Sequence, residues 1–143
     1  MSTTKTLNYT LTSSIEAIAE AVEYFLSSLC EVYNIRNDTI LFEIRVILNE
    51  LLLNAVKHGN KMNFLKDVQV VAGFMKGNNI FISVQDDGDG FDYSCIVKEK
   101  PDDCSCCEAM KETGRGMLIV KHLSDRMLFN KKGNKILVLK KVF

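Results

Sequence analysis

Glu50-Leu51-Leu52-Leu53-Asn54-Ala55-Val56-Lys57-His58-Gly59 is the stretch on which the reading of this chain turns. Glu50, Asn54 and His58 stand four residues apart, so on a helix they share one face beside the apolar stripe of Leu51, Leu52 and Ala55. A polar line of that kind is ordinarily a solvated helix face. Asparagine is nevertheless a mediocre residue in a helix interior, because its amide competes for backbone hydrogen bonds. The surrounding apolar positions Leu41, Ile44, Ile47 and Leu48 extend the helix to about 39–57, with Asp38 as its cap. His58-Gly59-Asn60 should stop it, with Gly59 suited to a left-handed cap.

The flanking elements follow from periodicity and turn residues. Residues 6–11 alternate apolar and polar, as a half-buried strand does, and residues 13–33 carry apolar side chains at helical spacing after the hydroxyls of Thr12, Ser13 and Ser14. Residues 68–75 and 79–85 are rich in β formers and are joined by Lys76-Gly77-Asn78, which predicts a hairpin. A second hairpin is predicted over 126–130 and 135–142, across Lys132-Gly133-Asn134. Between them come a loop at 86–92, an irregular run at 93–113 with the only proline, and a third helix over about 116–124. A long aperiodic run in a compact domain is commonly a functional lid, here expected over about 92–113. The order β-α-α-β-β-loop-α-β-β predicts an α+β fold: a two-layer sandwich, mostly antiparallel, with helices on one face.

Composition bounds the function. The chain has 143 residues, which is one domain spanning 1–143, with 47% hydrophobic and 25% charged residues. Eighteen basic residues balance eighteen acidic ones, which argues against a dedicated nucleic-acid or anionic-membrane binder. No apolar run is long enough to span a bilayer and the N-terminus lacks a signal-peptide core, so a cytoplasmic location is expected. The five cysteines, three of them in Cys104-Ser105-Cys106-Cys107, are not a disulfide framework. Cys104 and Cys107 form a Cys-x-x-Cys pair with no second pair to complete a zinc site. They read as surface thiols of the lid, with redox sensing the sharper alternative, and Cys30 reads as core packing.

Two further segments carry possible chemistry. Val84-Gln85-Asp86-Asp87-Gly88-Asp89-Gly90 runs a strand into an Asp-x-Gly-x-Gly turn without the spacing of an EF-hand. Its glycines allow a ligand close to the backbone. Glu112-Thr113-Gly114-Arg115-Gly116-Met117 should open the third helix, where free amides can bind phosphate oxygens; it is not a Walker A motif. By residue type alone, Met110, Met117 and Met127 read as packing.

Together the three segments resemble the GHKL ATPase superfamily, with Glu50–Gly59 as its N box, Asp86-Asp-Gly88-Asp-Gly90 as the first glycine box and Gly114-Arg-Gly116 as the second. The Asn-Ala-x-x-His-Gly form and the short length are similar to bacterial anti-sigma-factor serine/threonine kinases. The resemblance covers nearly the whole chain and implies ATP and Mg2+ as cofactors. It makes Asn54 the magnesium ligand, an amide oxygen suiting that hard ion, and Glu50 the catalytic base for the attacking hydroxyl. It makes Asp86 the acceptor for the adenine amino group. It assigns nucleotide contacts to His58, Gly88, Gly90, Thr113, Gly114, Arg115, Gly116 and Met117, and leaves Lys57 in solvent.

Glu112 stands where several relatives carry a basic residue next to the hydroxyl of the second glycine box. Phosphoryl transfer needs cationic stabilisation beyond one metal ion, and Arg115 is the candidate replacement. The resemblance implies phosphorylation of a STAS-type anti-anti-sigma protein, capture of an alternative sigma factor and a homodimer, with no direct nucleic-acid or membrane contact. No phospho-acceptor helix hairpin occurs in these residues, which directs the expectation to a kinase acting in trans. Three alternatives stand beside it: an ATP-binding module without phosphoryl transfer, a detached catalytic domain of a histidine kinase, and a structural domain that binds no nucleotide, which the presence together of Glu50, Asn54, Asp86 and the glycines disfavours.

Overall fold

Alternation along the strands decides which face of the sheet is covered. The structure is a computed structural model that describes residues 6–90 and 107–143, for 107–114 the backbone course alone. The elements are β1 (Leu7–Thr12), α1 (Ile15–Tyr33), α2 (Asp38–Leu53) continuing into a π-helical turn (Asn54–Gly59), β2 (Asp67–Met75), β3 (Asn79–Gln85), α3 (Cys107–Leu123), β4 (Arg126–Phe129) and β5 (Lys135–Lys141). The strands form one five-stranded sheet in the order β1-β2-β3-β5-β4. Every neighbouring pair is antiparallel. The expected α+β sandwich is present, with β5 inserted beside β3 and β4 at the edge.

Register aligns the inward side chains. Val70 pairs with Val84, Ala72 with Ile82 and Ile82 with Val138, so one face is a continuous apolar surface. Against it lie Ile18, Val22, Phe25 and Leu29 of α1, Ile44, Ile47, Leu48, Leu51 and Leu52 of α2, and Met117 and Val120 of α3, all in the buried core. Removing side chains of this size from water stabilises the fold by roughly 1.5–3 kcal/mol each. Ser14 caps α1 by accepting from the Ala17 amide at 3.2 Å. Asn37, one residue before the expected Asp38, caps α2 by accepting from Ile40 at 3.0 Å. Positive φ at Gly77 (79°) and Asn78 (63°) turns the first hairpin.

The third helix begins at Cys107, about nine residues earlier than its glycines suggest. Cys107-Glu-Ala-Met-Lys-Glu112 is rich in good helix formers. Gly114 and Gly116 sit in mid-helix at about 1 kcal/mol each relative to alanine, and contact of the helix with α2, at Gly116 on Glu50, offsets that cost. Residues 107–113 of the expected lid are therefore helical, and 91–106, with Cys95, Cys104 and Cys106, lie outside the described residues. Cys30 is half-buried rather than core. It lines a groove of about 340 Å3 between α1 and α2, with Leu26, Leu41, Phe42 and Arg45. Among the described residues no helix is long and apolar enough to cross a membrane.

One cation enters the core face. Lys140 of β5 is 5% exposed, donates to the Leu123 carbonyl at the end of α3 at 2.6 Å and pairs with Glu43 of α2 at 3.2 Å. It thereby ties sheet, α2 and the C-terminus of α3 together and places a positive charge where the helix dipole favours one. Lys140→Ala strands a carbonyl and a carboxylate, and should lower the unfolding free energy by about 2–4 kcal/mol in chemical denaturation. Glu43→Gln, at a more exposed partner, should cost about 1 kcal/mol or less.

Candidate functional site

The π-helical turn builds the site. At Asn54 the backbone N–H is shared between the Glu50 and Leu51 carbonyls, and at the far end Asn60 N–H reaches the Ala55 carbonyl at 2.8 Å. The widened turn buries Asn54, Ala55 and Val56 consecutively, which a regular α-helical face does not do. Asn54 is 6% exposed and its Oδ1 is buried. Glu50 is half-buried one turn before it, Lys57 is exposed and His58 is half-buried.

Each end of this segment touches one glycine element. At the Glu50 end, a Cβ on Gly116 of α3 would collide with the Glu50 carboxylate, so the absent side chain lets that carboxylate rest on the α3 backbone. At the other end, a Cβ on Gly59 would collide with the Asp86 carboxylate, and one on Gly88 with the Gly59 carbonyl. Gly59 thus serves close approach and not a left-handed cap; the positive φ angles fall on Lys61 (51°) and Met62 (58°). Gly90 (φ 96°) lies against the Lys132 carbonyl in the same way.

Asp86, just past β3, is 7% exposed. Its carboxylate accepts from Gly88 N–H at 2.7 Å. Its backbone is held on both sides by Asn134: its N–H donates to the Asn134 carbonyl at 2.9 Å, and its carbonyl accepts from Asn134 Nδ2 at 3.0 Å. Burial raises the Asp86 carboxyl above its ordinary pKa. The Gly88 N–H pulls it back, the neighbouring Asp87 charge raises it further, and Lys132 and Lys66 lower it. A carboxylate kept partly dehydrated by its own fold is a candidate for function.

The structure therefore brings Glu50, Asn54 and Gly116 together, and separately Gly59, Asp86 and Gly88. It does not leave Gly114-Arg115-Gly116 at a helix start: they lie well inside α3, where amides are committed to the helical ladder. Arg115 is exposed there. Met117 is 1% exposed and packs in the core, so its side chain is not presented to a ligand. The side chain of Thr113 and the surroundings of Gly114 lie outside the described residues. Three residues that carry the site's geometry, Ser13, Asn60 and Asn134, stood in the sequence only as cap and turn residues.

This arrangement fits a nucleotide and a metal ion. A buried acceptor beside closely approached backbone suits an amino-bearing base, and Asn54 is an uncharged oxygen donor. Among the described residues no three acidic, histidine or cysteine side chains gather into a metal cage, so a metal at Asn54 would take its other ligands from phosphate and water, as Mg2+ does. A sequence profile described as histidine kinase-like ATPase domain matches residues 11–140. The chain belongs to that family.

The family assignment agrees with the fold. The histidine kinase domain of the Erythrobacter litoralis EL346 blue-light activated histidine kinase superposes with a TM-score of 0.50 at 18% identity, covering 85% of this chain. The chain spans 58% of the length of that structure. No curated protein gives a sequence match.

The Asp86 carboxyl supplies a test of the site's electrostatics. Its folded pKa exceeds the ordinary 3.8. The folded state therefore binds the proton more tightly than the unfolded chain, and this contribution to stability falls as pH rises from 3.8 to the folded pKa. Asp86→Asn removes that dependence. Denaturation at several pH values should show the variant gaining on the parent chain through this window and holding a constant difference above it.

Proposed function

We propose that this chain is a Mg-ATP-dependent serine/threonine-protein kinase that acts as an anti-sigma factor. It phosphorylates a STAS-type anti-anti-sigma protein and sequesters an alternative sigma factor. The observation that carries the phosphoryl-transfer part of this reading is the placement of Glu50. Its carboxylate is held against α3 at Gly116, one turn from the buried Asn54. A base and a metal donor on one helix segment, with an adenine-type acceptor at the segment's other end, is what ordered transfer from ATP needs.

Asn54 would hold Mg2+, which neutralises phosphate charge when bound. Asp86 orients the base, and the close backbone at Gly59 and Gly88 excludes water around it. Glu50 takes the proton of the acceptor hydroxyl as its oxygen bonds to the γ-phosphorus and the bond to the β-phosphate oxygen breaks, giving phosphoester and ADP. Arg115, with an exposed side chain next to Gly116, supplies the cation that Glu112 cannot. The neutral charge balance of the chain suits a target bound through protein surface, with DNA contact unnecessary. A homodimer completes the reading, by resemblance.

The histidine kinase-like description favours a second reading, transfer to histidine. The two differ in product chemistry. The full chain, incubated with labelled Mg-ATP and a small STAS protein, should give an acid-stable phosphoprotein. Glu50→Gln should lower that transfer by about 100-fold or more while nucleotide affinity stays within a few-fold. Acid-labile product marks the histidine reading. Tight ATP binding without phosphoprotein marks a sequestering module, and undiminished transfer by Glu50→Gln removes the base assignment.

A further inference from the structure

Asn60 is 1% exposed, and every polar group of its side chain is engaged. Nδ2 donates to Ser13 Oγ at 2.8 Å and to the Asp67 carbonyl at 3.0 Å, while Oδ1 accepts from Asp87 N–H at 2.7 Å. Ser13 Oγ in turn donates to the Lys66 carbonyl at 2.5 Å. One amide thus joins four segments: the end of the π-helical turn, the β1–α1 junction, the start of β2 and the loop that carries Asp86. Its backbone N–H closes the π-helical turn on Ala55.

The bond to Asp87 has a consequence that the others lack. The Asp87 N–H belongs to the peptide group that follows Asp86, so fixing it fixes the direction in which the Asp86 side chain leaves the backbone. Asn134 holds the carbonyl of that same peptide group and, on the preceding side, the N–H of Asp86. Between these two clamps the carboxylate has one place to lie, on Gly59, with Oδ1 on Gly88 N–H. A buried, fully satisfied amide of this kind is rigid, because each alternative rotamer leaves several polar groups unpaired.

We propose that Asn60 is a positioning residue for base selection, which aims the Asp86 carboxylate through the Asp87 N–H. This deepens the nucleotide-binding reading above and rests on it for the identity of the ligand. Two variants separate aiming from simple stability. Ser13→Ala removes two bonds of the network, those of Ser13 Oγ to Asn60 and to Lys66, and leaves Asn60 Oδ1 on Asp87, whereas Asn60→Ala removes all three bonds of the Asn60 side chain. Both should lower the thermal midpoint.

Only Asn60→Ala should lower the preference for ATP over GTP, by about tenfold, the loss expected when one oriented hydrogen bond to a charged acceptor is misaligned. A second readout needs no nucleotide: the Asp86 carboxyl carbon followed by NMR through an acid titration. The charged groups around it, Asp87, Lys66 and Lys132, are the same in all three chains. In the parent chain and in Ser13→Ala the carboxyl should titrate above its ordinary range, and in Asn60→Ala it should move back toward that range as water reaches it. Equal behaviour of the two variants in both readouts makes Asn60 a structural residue only and overturns the proposal. If the parent chain prefers no nucleotide, the functional reading fails by itself, and the titration still decides whether Asn60 aims Asp86.

Discussion

The contact between the Asp86 carboxylate and the backbone at Gly59 constrains the rest of the site. It requires a residue without a side chain at the end of the second helix, and a loop after β3 that folds back onto that helix. It also requires partners for the backbone on both sides of Asp86, which Asn134 supplies before and after it and Asn60 supplies after it. Burying a carboxyl there costs stability, visible in its raised pKa. A buried carboxyl that carries this cost with such close fitting is a candidate for ligand binding.

The same segment reaches the second glycine element at its other end. From Glu50 on Gly116 to Gly59 on Asp86, one helix and its π-helical turn span the site. The turn matters because it widens the helix where Asn54, Ala55 and Val56 are buried one after another. It closes on Asn60, whose N–H bonds the Ala55 carbonyl and whose side chain is buried. Lys140, at the opposite end of α3, fixes that helix against α2 and keeps Gly116 over Glu50. The mechanism proposed for the chain uses each of these placements: an acceptor for the base, an oxygen donor for the metal and a carboxylate for the proton.

Much of this is legible in the sequence alone. Strand alternation and the two Gly-Asn turns indicated the hairpins, and helical spacing indicated α1 and α2, because those signals are local. Spacing also brought Glu50 and Asn54 together. What escaped was non-local. The π-helical turn arises from how residues 54–60 pack, and no residue in that run announces it. Gly114 and Gly116 read as a helix start because glycine is a poor helix former, yet packing against α2 overrides propensity and the helix begins at Cys107. Gly59 read as a cap by its own conformational freedom, whereas its role comes from a neighbour 27 residues away, Asp86. Asn60, Asn134 and Ser13 resembled ordinary cap and turn residues, and only their long-range partners distinguish them.

In the proposed function, Asp86 and Asn54 define the two ends of one Mg-ATP site. A crystal structure of the full chain with Mg2+ and a non-hydrolysable ATP analogue tests it most directly. The adenine amino group should lie within hydrogen-bond distance of the Asp86 carboxylate, the metal on Asn54 Oδ1 and the γ-phosphate on the Glu50 side of the segment. A nucleotide seated elsewhere, or a base that makes no contact with Asp86, would contradict it.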